Sequence, residues 1–202
     1  MAGRILIYIP NIITVLRILL VMPIGWLMWQ DRYPEACILM VVAGVSDAID
    51  GYLARRFNWM TKLGATLDPL ADKLLVAVVF IVFTLQGLIP LWIAIIVLVR
   101  DFVIVTGATV YKLLYEEIKI SPTFLSKANT AVQLVTLILL MIAELELGQL
   151  SDLALQLANP WCFYALAILG VSSGVDYVIA WGNKAFRESK KRRRYSLRKQ
   201  GS

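Results

Sequence analysis

Apolar residues run through this chain in six stretches, each near the roughly 20 residues that a membrane-spanning helix needs. They cover about Ile12–Met28, Ala36–Ala54, Thr66–Leu85, Leu91–Tyr111, Leu125–Ala143 and Trp161–Trp181. Polar linkers separate them at Gln30–Pro34, Arg55–Gly64, Gln86–Pro90, Lys112–Thr123 and Glu144–Pro160. Ahead of the first stretch, Met1 to Pro10 reads as a short interfacial helix stopped at Pro10. A signal peptide fits less well, because no small-residue cleavage site follows the apolar run, and no transit-peptide composition is present. The expected fold is therefore all-α: a polytopic membrane protein of six transmembrane helices preceded by an N-terminal interfacial helix. One domain is expected over residues 1–183, with a basic cytoplasmic tail over 184–202.

Charge orients this pattern. An even number of spans puts both termini on one side. With that side cytoplasmic, the inner linkers hold Arg55, Arg56, Lys62, Lys112 and Lys119, and the tail adds nine Lys and Arg between Lys184 and Lys199. The outer linkers hold Arg32 against Asp31, Glu35, Glu144, Glu146 and Asp152, which satisfies the positive-inside rule. A multi-pass protein of the bacterial inner membrane with both ends cytoplasmic is the expectation. A basic run directly after a span suits anionic membrane lipids better than nucleic acid, and a solvated tail without a specific partner is equally admissible.

Composition agrees and removes several chemistries. Of 202 residues, 59% are hydrophobic and the mean hydropathy is +0.74, so the core is built against lipid. Histidine is absent, which excludes a Ser-His-Asp triad, His-ligated zinc and a His general base. Cys37 and Cys162 lie in apolar stretches without metal-type spacing and read as small buried hydrophobes. Gly170-Val-Ser-Ser-Gly174 is a small-xxx-small pattern that favours close helix approach, within the bundle or across a dimer.

The candidate chemistry lies between Asp47 and Asp72. Asp47 and Asp50 are spaced i, i+3, and Asp68 and Asp72 are spaced i, i+4, so each pair shares a helix face. A carboxylate in a membrane helix costs several kcal/mol unless it is paired, metal-bound or facing water. Two helices joined by the polar turn Arg56–Gly64 can bring all four together as a hard, oxygen-rich site for divalent cations. The plainer reading is that the four neutralise Arg55, Arg56, Lys62 and Lys73 as interfacial ion pairs. Gly51 lets a nucleotide approach the helix backbone, and Arg55, one turn later, is placed to hydrogen-bond a phosphate. Simple helix packing or capping is the alternative for Gly51 and Gly64.

The pattern Asp-x2-Asp-Gly-x2-Ala-Arg-x8-Gly-x3-Asp-x3-Asp is met in full by Asp47, Asp50, Gly51, Ala54, Arg55, Gly64, Asp68 and Asp72. It resembles the signature of the CDP-alcohol phosphotransferases. The resemblance implies two Mg2+ or Mn2+ ions per active site, held by Asp47, Asp50, Asp68 and Asp72, with Asp72 also the general base. It further implies that Asn11, Thr14, Gly51, Ala54, Arg55, Thr61 and Gly64 hold the CDP-lipid. Pro10-Asn11-Ile-Ile-Thr14 followed by Arg17 is similar to the family's amino-terminal pattern, although Asn11 alone would read as a helix cap.

The acceptor is read from a second group. Arg100-Asp101 closes an apolar run, and Lys127, Thr130 and Gln133 at i, i+3, i+6 are expected to share broadly one face, which suits an anionic headgroup. A snorkelling Lys beside helix-bridging polar residues is the structural alternative. The Pro122-Thr-x-x-Ser-Lys-x-Asn-Thr-Ala-x-Gln133 run and the Arg-Asp pair resemble the cardiolipin-synthase branch, which joins the phosphatidyl group of CDP-diacylglycerol to phosphatidylglycerol. That resemblance implies acceptor contacts from Arg100, Asp101, Lys127, Asn129 and Gln133, and a homodimer. The neighbouring branch uses glycerol 3-phosphate and usually carries Arg-Glu at this pair. A cation transporter is the remote alternative, since transporters often carry paired repeats or broken helices and here the acids cluster once, towards one face. A lipid-binding scaffold with a decayed site is disfavoured by the intact signature.

Overall fold

The computed structural model describes residues 9–57, 64–114, 123–177 and 179. Among them every regular element is helical: α1 (Ile9–Trp29), α2 (Tyr33–Phe57), α3 (Gly64–Leu85), α4 (Leu91–Leu114), α5 (Phe124–Ala143) and α6 (Gln149–Gln156). A kinked junction over Leu157–Cys162 leads into α7, over 163–177. Helices α1 to α5 are 20 to 25 residues long, which is about 30 Å or more at the α-helical rise. Phe124–Ala143 and Gln149–Tyr177 are long and apolar enough to cross a membrane by length and composition, and Ile13–Trp29 is a shorter apolar stretch.

Tight turns make neighbours antiparallel. After α3, Gly87 takes a left-handed φ of 81°. Its N–H donates to the Thr84 carbonyl and the Leu88 N–H to that of Phe83, the paired bonds of a Schellman cap. Asp31 makes the reversal after α1 with a positive φ of 58°. The two turns are tied together at this end of the bundle. Gln86 donates to the Met28 carbonyl at 2.8 Å and to Asp31 at 3.1 Å, and accepts from the Tyr33 hydroxyl at 2.9 Å.

Along the side that each main helix turns towards its neighbours, one end is polar and the other apolar. On α1 Thr14 and Arg17 precede Val21, Ile24 and Met28; on α3 Asp72 and Lys73 precede Val79, Phe80 and Phe83; on α5 Ser126, Asn129 and Gln133 precede Leu137, Leu140 and Met141. The order is reversed on α2 (Tyr33, Ala36, then Asp47) and α4 (Ile93, Val97, then Arg100 and Asp101), as antiparallel packing requires. One end of the bundle therefore holds an apolar core centred on Phe80, Phe83, Ile93, Leu140 and Leu166. The other collects the charges. Outward-facing Met22, Ile38, Val99, Phe102, Ile138 and Val171 are exposed, and a bundle with so much apolar outer surface associates with a membrane.

Two expectations shift at the boundaries. Pro10 lies in the first turn of α1 rather than ahead of it, where its missing N–H costs no intrahelical bond; residues 1–8, and with them most of the interfacial segment, lie outside the described residues, as does the basic tail. The linker expected over Glu144–Pro160 is largely helical. Ser151 accepts from the Leu147 N–H and donates to the Ile142 carbonyl, fastening α6 to the end of α5. The kink comes at Asn159, whose extended backbone (φ −117°, ψ 118°) is the conformation favoured before proline.

Candidate active site

Arg17 organises the charged end. It is a cation in an otherwise apolar stretch of α1, 3% exposed, and it reaches carboxylates on two other helices. Its Nη1 donates to Asp72 of α3 at 2.8 Å, and its Nη2 pairs with Asp47 of α2. Close helix approach makes this possible. A Cβ at Gly25 of α1 would lie 2.8 Å from a methyl of Val78 on α3, so this contact admits glycine alone without a shift. Asp47 and Asp72 are 43% and 59% exposed, so each keeps oxygen surface beyond the guanidinium. Two carboxylates from separate helices, drawn onto one buried cation and still open on their outer side, have the donor chemistry of a hard divalent-cation site.

Asp50 lies one turn from Asp47 on α2, and Asp68 one turn from Asp72 on α3. Their side chains, with those of Asn11, Ala54 and Arg55, lie outside the described residues, as does the whole of Thr61, and Gly64 opens α3. Thr14 is buried on α1 one turn before Arg17, and Gly51 is half-buried on α2 one turn after Asp47.

A second polar group stands beside this one. Asp101 of α4 accepts from Lys73 Nζ at 2.8 Å, from Arg100 Nη1 at 2.6 Å and from Gln133 Nε2 at 3.2 Å. Arg100 is itself buried and engaged on all sides. Its Nε donates to Ser173 at 3.1 Å, and its Nη2 to the hydroxyl (2.6 Å) and carbonyl (3.1 Å) of Ser126. Here too a glycine permits close approach, since a Cβ at Gly170 would meet Ile96 of α4 at 2.8 Å. Gly170 therefore packs within the bundle, whereas Gly174 faces open space. Removing one partner from a buried pair such as Arg100–Asp101 costs about 3–5 kcal/mol, because the remaining charge is left uncompensated.

The structure joins Arg100, Asp101 and Gln133 directly. Asn129 lies one turn from Gln133 on α5, fully buried, and neither of its amide atoms has a hydrogen-bond partner among the described residues. Lys127 is exposed, Thr130 is half-buried and Gln133 is buried, so the expected Lys127–Thr130–Gln133 face does not form. The inward face of α5 is Ser126, Asn129, Gln133 and Thr136, spaced three and four residues apart as a 3.6-residue period dictates. Residues six apart fall well round the helix from each other. Arg17, Lys73, Ser126 and Ser173 are the members that the motif reading left without a role. For Arg17 and Lys73 the available signal was a charge inside an apolar helix, which calls for a partner.

This geometry and this signature define a class: the chain belongs to the CDP-alcohol phosphatidyltransferase family, whose model matches residues 7–177. Members of the family are generally dependent on divalent metals. Similar proteins include the human cardiolipin synthase (CMP-forming), 32% identical over 173 residues, taking in 78% of this chain and 56% of the human protein. The Rattus norvegicus cardiolipin synthase (CMP-forming) is 32% identical over 170 residues, 76% of this chain and 55% of its own length. The Bacillus subtilis CDP-diacylglycerol–glycerol-3-phosphate 3-phosphatidyltransferase is 33% identical over 169 residues, 74% of this chain and 86% of its own length. The chain spans about half the length of the human and rat relatives it matches.

Proposed function

We propose that this protein is a phosphatidyltransferase that moves the phosphatidyl group of CDP-diacylglycerol to phosphatidylglycerol, forming cardiolipin and releasing CMP. The observation that carries the reading is the convergence of Asp47 and Asp72, from two helices, on one side of a charged bundle end that also holds Asp101 and Gln133. Asp47, Asp50, Asp68 and Asp72 would hold two Mg2+ or Mn2+ ions, which when bound neutralise the pyrophosphate. Asn11, Thr14, Gly51, Ala54, Arg55, Thr61 and Gly64 surround the CDP moiety. Asp72 accepts the proton of the acceptor hydroxyl, whose oxygen bonds to the phosphorus nearest the diacylglycerol as the P–O bond to CMP breaks. Asp101, Asn129 and Gln133 bound the acceptor end over the floor made by Arg100, and Lys127 stands at its exposed edge.

Outward apolar side chains on the long helices support a membrane-embedded bundle. In our reading it makes six spans in a bacterial inner membrane, and the Lys and Arg asymmetry of the linkers supports cytoplasmic termini. The basic tail meets anionic lipid and the protein is a homodimer. A second reading, phosphatidylglycerophosphate synthesis from glycerol 3-phosphate, is favoured by the Bacillus relative, most of whose length this chain covers. Acceptor competition decides between them. Purified protein given CDP-diacylglycerol, Mg2+ or Mn2+ and each acceptor separately should release CMP with phosphatidylglycerol. Turnover with glycerol 3-phosphate alone establishes the second reading, and turnover undiminished in excess chelator defeats both.

A further inference from the structure

Asp72 and Lys73 are consecutive on α3 and point about 100° apart around its axis. Each is held by a different helix. Asp72 is drawn towards α1 by Arg17 at 2.8 Å, and Lys73 towards α4 by Asp101 at 2.8 Å. We infer that the Lys73–Asp101 ion pair is a positioning lock: it sets the rotation of α3 and so the place of the Asp72 carboxylate. The inference rests on Asp72 being the base of the proposed reaction.

The lock is built to be stiff. Asp101 is part of a buried relay, fixed by Arg100 and Gln133, and Arg100 is fixed in turn by Ser126 of α5 and Ser173 of α7. Three helices thereby define where Lys73 is pulled. Arg17 holds the same carboxylate from the α1 side. A rotation of about 10° about the α3 axis carries a carboxylate at a radius of about 6 Å through roughly 1 Å, and a displacement of that size costs about 100-fold in rate at a reacting centre. Lys73 is not placed as a substrate phosphate ligand. Its ammonium is 2.8 Å from Asp101 and its side chain is only 26% exposed. Arg100, with its nitrogens engaged by protein groups, acts on the reaction through Asp101.

The test uses the full chain in detergent, measuring CMP release and, on the same samples, Mn2+ binding by electron paramagnetic resonance. Lys73→Met should lower kcat about 10- to 100-fold and weaken Mn2+ binding, because Asp72 is also a proposed metal ligand, while leaving KM for CDP-diacylglycerol within about threefold. Lys73→Arg, which keeps the ion pair, should retain kcat within about threefold. Asp101→Asn should also lower kcat, and the double variant Lys73→Met/Asp101→Asn should be no slower than the slower single one, as expected of two residues acting as a unit. The lock is refuted if Lys73→Met keeps wild-type kcat or raises KM alone, if Lys73→Arg is as slow as Lys73→Met, or if the two effects multiply. Should Lys73→Met not fold, Lys73→Gln against Lys73→Arg gives the same reading. A wild-type protein that releases no CMP would refute the proposed function, whereas active wild type with an equally active Lys73→Met refutes the lock alone.

Discussion

The two ends of the bundle are held together by different physics. At one end, Phe80, Phe83, Ile24, Met28, Ile93 and Leu140 are fully buried and touch through apolar surface. Tyr33 stacks on Phe83 with ring centroids 6.2 Å apart. At the other end, Arg17, Asp47, Asp72, Lys73, Arg100 and Asp101 meet through directional ion pairs and hydrogen bonds. An apolar core is held by many weak, non-directional contacts that add up. A charged cluster depends on a few specific partners, because each lost one leaves an ion without compensation. The apolar end is held by buried hydrophobic surface, and the charged end fixes carboxylates through ion pairs.

That division can be broken most directly at Asp72. Asp72→Asn should lower CMP release by about three orders of magnitude or more while the protein stays folded and still binds CDP-diacylglycerol. Asp47 keeps its contact with Arg17 in this variant. Substantial turnover in Asp72→Asn would show that the charged end is not where the proton goes.

The converse change is Phe80→Ala, deep in the apolar end. It should cost about 3–5 kcal/mol of stability, read as a lower midpoint in thermal or denaturant unfolding. The kcat of the folded fraction should stay within about twofold. A large kcat loss without destabilisation would mean that the two ends are coupled rather than separate.

At the edge of the charged end the effects shrink. Lys127→Ala should raise KM for phosphatidylglycerol about threefold and leave KM for CDP-diacylglycerol unchanged, since an exposed charge contributes at most about 1 kcal/mol. Equal acceptor KM in that variant would return Lys127 to a surface role.

The smallest effect belongs to the far turns. Burial holds the Glu144 carboxyl above the usual glutamate range, and Asp31 and then Glu146 add to the rise. A raised folded-state pKa means that the native state binds the proton more tightly than the unfolded chain does. The associated stabilisation is present below the ordinary glutamate pKa and is lost as pH rises through the elevated value. Glu144→Gln should therefore raise the neutral-pH melting temperature slightly, by about 1–2 °C, and the gain should vanish in acid. A gain independent of pH would assign it to packing instead.

Much of this molecule is legible along the chain. Long apolar stretches predict helices because a helix satisfies its backbone hydrogen bonds internally, and α1 to α5 fall where those stretches do. The spacing of Asp47, Asp50, Asp68 and Asp72 is likewise local information, since three or four residues make one turn. The helix over Gln149–Gln156 was harder to see, because its linker mixes charge, glycine and proline and its attachment depends on Ser151 meeting α5. The inward face of α5 differs from the expected one because positions i and i+6 lie about 120° apart, whereas Ser126, Asn129, Gln133 and Thr136 follow the 3.6-residue period.

The chain by itself determined which segments are helical, which carboxylates recur at helical spacing, and which family the signature belongs to. These depend on periodicity and residue chemistry, properties of neighbours in sequence. Tertiary structure decided who pairs with whom: Arg17 with Asp47 and Asp72, Lys73 with Asp101, and Arg100 with Ser126 and Ser173. Those partners lie 26 to 73 residues apart in most cases. Gly25 and Gly170 let helices approach closely, at Val78 and Ile96, but which helix each meets is a fact of packing that the local pattern does not encode.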